Sequence, residues 1–353
     1  MAWRSLVHCI TRSGRRVWGQ PVESEAASGR PLVGSLVRVL SGSPFSLDAV
    51  LLDEQAEIAT VLPPLEPLLL DGHGSRAHYN EELDASEVER VARGPWQCGS
   101  GVLCIGLNYY RHAAETGIAV DPARMTMFVK YNSSIIGHGQ SIVVPRVAQE
   151  PQQVDYEAEL AVVIGSACRN VSVERSLDHV LGFTCANDVS ARLWQLQWGG
   201  GQWCFGKSFD TFTPLGPVLV RPSALPPGTI RRSLARSPHI AILIMTTPNT
   251  NPVCVCVCVC VCTPGGADVL AISTTLNGQT MQCSNTSDMV RNVATIVSTL
   301  SQGTTLLPGT VILTGTPEGV GFTRKPPVWL QAGDRVVVAI EHIGALENPV
   351  EYE

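Results

Sequence analysis

From Val102 onward, short apolar runs recur along the chain at residues 102–107, 141–144, 160–164, 182–186, 217–220, 311–313 and 336–340, bounded by Gly, Pro and Asn. Runs of that length with that punctuation predict strands. Helical patterns between them are few, and residues 174–181 and 287–300 carry the best two. Many strands with few helices predict an α+β domain, mainly β, of about 250 residues. Upstream the pattern weakens. Residues 31–52 alternate apolar runs with Ser and Gly as short strands do, residues 62–70 form a Leu/Pro-rich connection, and residues 81–93 an acidic helical stretch. No chemical motif stands there, so residues 23–95 are expected to form a small N-terminal accessory domain, with a catalytic domain over 96–353.

The first 22 residues hold Arg4, Arg12, Arg15 and Arg16, several Ser and Thr, and no acid before Glu23. Such a composition predicts a mitochondrial transit peptide over residues 1–22, a disordered basic tail being the alternative. Delivery would then be to the matrix; without it the protein would be cytoplasmic.

A chain of 353 residues that is 44% hydrophobic and 16% charged is globular, and wholesale disorder is excluded. The net charge of −6 gives no basic footprint for nucleic acid. No apolar run approaches the roughly 18 residues of a membrane span. Twelve cysteines include Cys254, Cys256, Cys258, Cys260 and Cys262, alternating with Val. The other seven form no CxxC pair, which fits a reducing compartment rather than a disulfide scaffold.

Residues 224–267 interrupt the strand pattern. Pro226, Pro227, Pro238, Pro248, Pro252 and Pro264 punctuate them, with residues 240–245 as one short strand-like run. As a strand, the Val-Cys repeat would set all five thiols on one face, a conceivable soft-metal site. The genetic code offers a simpler origin, because an alternating GT dinucleotide read in frame yields Val-Cys without end. The tract is therefore expected to be a non-native, low-complexity insert.

Four constellations carry candidate chemistry. Asp155-Tyr156-Glu157-Ala158-Glu159-Leu160 leads into an apolar strand. Period-2 alternation puts Asp155, Glu157 and Glu159 on one face. Buried carboxylates packed together call for a compensating cation, and oxygen ligands suit Mg²⁺, Mn²⁺ or Ca²⁺. Asp188 supplies a third acid at the start of an expected helix through Trp198. A solvated edge strand with Asp188 as a mere cap explains the same spacing. In Asn108-Tyr109-Tyr110-Arg111-His112-Ala113-Ala114-Glu115, His112 and Glu115 share a helical face at i, i+3, as a general-base pair or as a surface pair. Arg192 and Gln195 follow Asp188 by four and seven residues, on about one helical face. With Lys207 they would clamp the oxygens of a small anion, or serve as ordinary surface groups. Residues 314–321, Thr-Gly-Thr-Pro-Glu-Gly-Val-Gly, lack the Lys of a P-loop and read as a turn presenting N–H groups and hydroxyls to a ligand.

Taken in order, these segments resemble the fumarylacetoacetate hydrolase domain family. The resemblance runs from about Val102 to the C-terminus and includes Phe128-Val129-Lys130, Asn187-Asp188-Val189-Ser190-Ala191-Arg192 and Gly206-Lys207-Ser208-Phe209-Asp210. Arg324-Lys325-Pro326-Pro327 further resembles the mitochondrial oxaloacetate tautomerase branch. After the interruption the pattern resumes at Asp268, with Asn277-Gly278 as a hairpin signal. Leu193 stands where an acid usually follows the Arg, a departure that bears on how Arg192 is oriented.

The resemblance implies a mixed β-sandwich roll of the fumarylacetoacetase C-terminal type and a homodimer. It implies Mg²⁺ on Glu157, Glu159 and Asp188, with His112 and Glu115 on a mobile lid. Lys207, Lys130, Arg192, Gln195 and Thr316 would face a small 2-oxo dicarboxylate. A metal-held enolate then serves keto–enol tautomerisation of oxaloacetate. The alternatives are C–C bond hydrolysis, with His112 and Glu115 activating water, oxaloacetate decarboxylation, and an inactive dimeric homologue.

Overall fold

The computed structural model describes residues 3–22, 33–41, 49–62, 101–121, 123–226 and 269–353. Its first strands lie where a leader was expected. β1 (Ser5–Thr11) and β2 (Arg16–Pro21) pair as a hairpin, and β3 (Leu36–Leu40) and β4 (Leu51–Leu62) extend them in the order β2-β3-β4-β1. Trp3, Leu6, Val7, Cys9, Val17 and Trp18 are buried. β1 and β2 fall inside the range read as a leader and are built into the sheet. Arg12 and Arg15 belong to the hairpin tip and pair with Glu57 and Glu54 of β4. Residues 3–22 thus pack with the accessory unit expected from residue 23. It continues into the main sheet, since Ser5 and Leu6 pair with Val220 and Leu219.

The remaining strands are β5 (Val102–Gly106), β6 (Thr126–Lys130), β7 (Ile135–Ile136), β8 (Ile142–Val144), β9 (Val154–Asp155), β10 (Ala158–Ile164), β11 (Val180–Asn187), β12 (Ser190–Ala191), β13 (Thr213–Val220), β14 (Ala271–Leu276), β15 (Gln279–Asn285), β16 (Val311–Leu313), β17 (Arg335–Ile340) and β18 (Gly344–Tyr352). All seven predicted runs are strands. The large sheet proceeds from β1 through β13-β11-β10-β16-β5-β6, antiparallel except for β16 with β5. A second sheet has the order β15-β14-β17-β18-β8. Asn277 and Gly278 turn the β14–β15 hairpin at φ +53° and +79°, as the Asn-Gly signal predicts.

β10 shows why the sheets pack. Every residue in it is buried. Leu160, Val162 and Ile164 join Phe183, Ile272, Val338 and Ile340 in the core between the sheets. Ala161 turns to the opposite face, against Val102, Cys104 and Leu313. Full burial of each large aliphatic side chain contributes roughly 1.5–3 kcal/mol.

The helices are α1 (Tyr110–Thr116), α2 (Val173–Ser176), α3 (Cys204–Lys207) and α4 (Val293–Leu300). In α4 the Asn292 side chain accepts the Thr295 N–H at 2.9 Å, and Val293, Ile296 and Val297 fill the core. Among the described residues, no helix is long and apolar enough to cross a membrane.

Two local expectations change. Residues 155–164 are not one strand, because β9 stops at Asp155 and β10 starts at Ala158. The helix expected from Asp188 to Trp198 forms only in its second half. Ser190–Ala191 pairs with β9 as β12, and the chain winds from Arg192, passing into a π-helical turn at Trp194–Trp198. Strand pairing and the Arg192 N–H bond to the Gln153 carbonyl (3.0 Å) keep residues 190–191 extended. The acidic stretch 81–93 and residues 227–268, with the Val-Cys repeat, lie outside the described residues.

Candidate metal and active site

β10 and β11 pair with Ala158 opposite Asn187. That register brings Glu157, Glu159 and Asp188 to the same end of two neighbouring strands. The Asp188 N–H donates to the Glu157 carbonyl (2.9 Å), and the Glu157 N–H to the Asn187 side-chain oxygen (3.0 Å). Carboxylate oxygens of all three acids lie within 4.8 Å of one another, and all three are buried.

Three carboxylates this close repel and lose hydration, so cations must compensate. Lys207 donates to Glu157 (2.8 Å) and Asp188 (2.7 Å). Lys130 donates to Asp188 and to the Val189 carbonyl. Arg192 pairs with Glu157 at 2.7 Å. Burial works to raise the Glu157 carboxyl, but Lys207, Arg192 and His112 together hold it well below the usual carboxylate range. Glu159 takes the Gly315 N–H (2.6 Å), and among the described residues no cationic side chain pairs with it. Burial, then Asp188 and Glu157, push its carboxyl well up. The buried set, Asp155 included, counts four carboxylates against three cations, and the imbalance falls on Glu159. An all-oxygen donor set with one uncompensated acid fits a hard divalent ion.

Arg192 is held from behind by Asp155. Its Nε and Nη2 both reach Asp155, its Nη1 donates to Gln195 (3.0 Å), and the Phe322 ring lies 4.3 Å beneath it. The guanidinium is thus oriented without any acid at position 193. With its oxygen committed to Arg192, the Gln195 amide keeps its N–H groups for a ligand.

His112 and Glu115 do meet. His112 Nδ1 lies 2.8 Å from Glu115 Oε1, and Glu115 Oε2 accepts the Gly319 N–H at 3.0 Å. Residues 314–321 behave differently from expectation. The three glycine N–H groups are spent on protein carboxylates, Gly315 on Glu159, Gly319 on Glu115 and Gly321 on Asp155. Thr316 alone offers a hydroxyl; its oxygen accepts from Gln282 (2.9 Å), which leaves the hydrogen to donate.

One cleft is lined by His112, Glu157, Glu159, Arg192, Gln195, Lys207 and Thr316, between apolar walls that include Ile105, Phe128, Trp203 and Phe322. Lys130 is not in its lining. Its ammonium is fully buried and pairs with Asp188. Glu115 stands behind His112. Sequence reasoning passed over Gln282 and Trp203, and quoted Asp155, Asn187 and Gly315 within their motifs without giving them separate roles. Gln282 and Trp203 carried no signal, since they act through tertiary contacts.

A family model described as Fumarylacetoacetate (FAA) hydrolase C-terminal matches residues 101–351. A fumarylacetoacetate hydrolase domain-containing protein 2 homolog of Dictyostelium discoideum is 41% identical over 254 residues, 71% of this chain and 71% of that protein. A mitochondrial oxaloacetate tautomerase of Xenopus laevis is 41% identical over 249 residues, 70% of this chain and 65% of that protein. The 2-hydroxyhepta-2,4-diene-1,7-dioate isomerase from Mycobacterium marinum is similar in structure, with a TM-score of 0.66 at 27% identity over 99% of each chain. The fumarylacetoacetate hydrolase from Exiguobacterium antarcticum has a TM-score of 0.63 at 28% identity, over 99% of this chain and 100% of that one.

Proposed function

The chain belongs to the fumarylacetoacetate hydrolase family, and we propose that it is a divalent-metal-dependent oxaloacetate tautomerase. Glu157, Glu159 and Asp188 would hold the ion, Mg²⁺ in our reading, with Mn²⁺ and Ca²⁺ sharing the same donor chemistry. What carries the proposal is one cleft lined by Glu157, Glu159, His112 and unspent donors, with Asp188 clustered on the two glutamates and Glu115 bonded to His112. The bound ion would supply charge neutralisation and Lewis-acid polarisation for an oxyanion.

The chain's own side chains do the rest. Gln195 and Thr316 donate to the oxygens of a small 2-oxo dicarboxylate, and Arg192 and Lys207 set a positive field around it. Glu115 holds His112 Nδ1, which leaves Nε2 to move a proton to or from the carbon next to the carbonyl. Phe128, Trp203 and Phe322 limit water. The names of two similar proteins, an oxaloacetate tautomerase and a diene-dioate isomerase, support proton transfer as the reaction. We extend to this chain the mitochondrial location of that tautomerase and a homodimeric state; fractionation and sedimentation test these.

Following the decay of enol-oxaloacetate absorbance tests the proposal. Acceleration that needs Mg²⁺ and is lost with a chelator supports it, and decay at the uncatalysed rate with Mg²⁺ bound sinks it. The His112–Glu115 contact also favours a second reading, water activation for C–C bond cleavage. Pyruvate release from an acylpyruvate, abolished in His112→Ala, would place the chain there. Oxaloacetate decarboxylation would instead release CO₂ without any need for His112. Mg²⁺ binding with none of these turnovers would mark an inactive homologue.

A further inference from the structure

Trp203 and Gly106 meet in the wall of the cleft. Gly106 ends β5, and a Cβ on it would lie 2.5 Å from Cζ3 of the indole and 3.1 Å from Cη2. The ring therefore packs directly on the glycine backbone, in room that any side chain would take. The Phe128 ring stands 5.5 Å from it at 60°, and the Lys207 ammonium is 5.1 Å from the Phe128 centroid. Trp203 also caps the start of α3, whose last residue is Lys207. Main chain behind and an aromatic ring beside it leave the indole no way to retreat. It is half-buried, and part of it remains accessible.

We infer that Trp203 is a specificity-determining residue that sets how long a 2-oxo acid the cleft admits. This inference rests on the proposed reading of the cleft. The donors at Gln195 and Thr316 serve the oxygens of a short diacid, so a longer acid must place its extra carbons against the walls. A wall that can yield would discriminate weakly, because one methylene in a soft apolar pocket changes affinity only modestly. A ring backed by main chain rejects added volume by overpacking. Gly106 is then as much a part of the specificity as Trp203, since only a missing side chain lets the ring sit so far back.

The test is calorimetric binding in saturating Mg²⁺ of two probes, oxaloacetate and a linear acylpyruvate with a four-carbon acyl group. Wild type, Trp203→Ala, Trp203→Leu and Trp203→Phe are compared, with Mg²⁺ affinity measured on each. We expect the wild type to prefer oxaloacetate. Trp203→Ala and Trp203→Leu shift the affinity ratio toward the acylpyruvate by tenfold or more at unchanged Mg²⁺ affinity. Trp203→Phe, which keeps a ring against Gly106, restores the wild-type preference. A ratio that stays put in whichever of the Ala and Leu variants folds overturns the inference and leaves the functional reading standing. A wild type that binds neither acid overturns both.

Discussion

Arg192 donates Nε and Nη2 to the same oxygen of Asp155, at 2.9 and 2.8 Å, with both side chains buried. The other Asp155 oxygen accepts the N–H groups of Tyr156 and Gly321, each at 2.8 Å. One carboxylate thus ties β9, the segment after β12 and the loop before Phe322 into the frame behind the triad. Because Arg192 also reaches Glu157 and Gln195, Asp155 sets the position of groups it never touches.

Replacing Asp155 by Ala would leave the Arg192 charge buried and half-paired. Breaking a buried pair this way costs about 3–5 kcal/mol. Urea unfolding should register that loss, and KM for oxaloacetate should rise as Gln195 loses its orientation. A destabilisation under about 1 kcal/mol would show that Asp155 is not the anchor.

Gly315 has φ +98°, and a Cβ there would fall 2.7 Å from the Asn108 Cβ. Gly315→Ala should therefore cost at least about 1–2 kcal/mol of backbone strain. It should also weaken Mg²⁺ binding, because the shifted N–H no longer holds Glu159. Thermal unfolding and metal titration on the same protein check both effects.

Burial pushes the thiols of Cys9 and Cys185 up to about 12 from an ordinary value of 9.0. A raised acid favours folding below its unfolded value and loses that contribution as pH climbs to the folded one. The loss should therefore occupy the window from about pH 9 to 12, and for the fully buried Cys185 approach roughly 4 kcal/mol. Cys185→Ala should flatten the alkaline arm of a stability–pH profile; an unchanged arm would refute the assignment.

β13 ends at Val220 and β14 starts at Ala271, and Leu225 and Leu270 on either side of the Val-Cys tract are buried in one core cluster. We propose that the tract is foreign to the fold. Replacing residues 227–268 with a short Gly/Ser linker should preserve cooperative unfolding and Mg²⁺ affinity, because lengthening or shortening a loop changes closure entropy only slowly. Loss of either property would make the tract structural.

The catalytic sheet was legible because a strand buried on both faces needs an unbroken apolar run, as residues 160–164 supply. The triad was legible because its acids flank two apolar strands, Glu157 just before β10, Glu159 within it and Asp188 just after β11. The first two strands were not, since Arg12, Arg15 and Arg16 at a hairpin tip have the composition of a leader. Arg192 and Gln195 share a helical turn as their spacing suggested, whereas Asp188 joins them through strand pairing rather than along the same helix. Lys130 carried no mark of depth, and whether an ammonium faces a ligand or supports a carboxylate depends on packing between distant segments. The same holds for the glycines of residues 314–321, whose N–H groups serve the protein's own acids.

The most direct test of the metal-dependent site is Glu159→Gln, assayed for enol-oxaloacetate decay with and without Mg²⁺. Gln keeps the shape and can still accept the Gly315 N–H, and among the described residues no cation loses a partner. The variant should fold with wild-type cooperativity. It should lose at least about a hundredfold of the Mg²⁺-dependent acceleration, since even outer partners of a metal contribute 10–100-fold. Full acceleration in folded Glu159→Gln, or acceleration by the wild type that survives a chelator, would contradict the account.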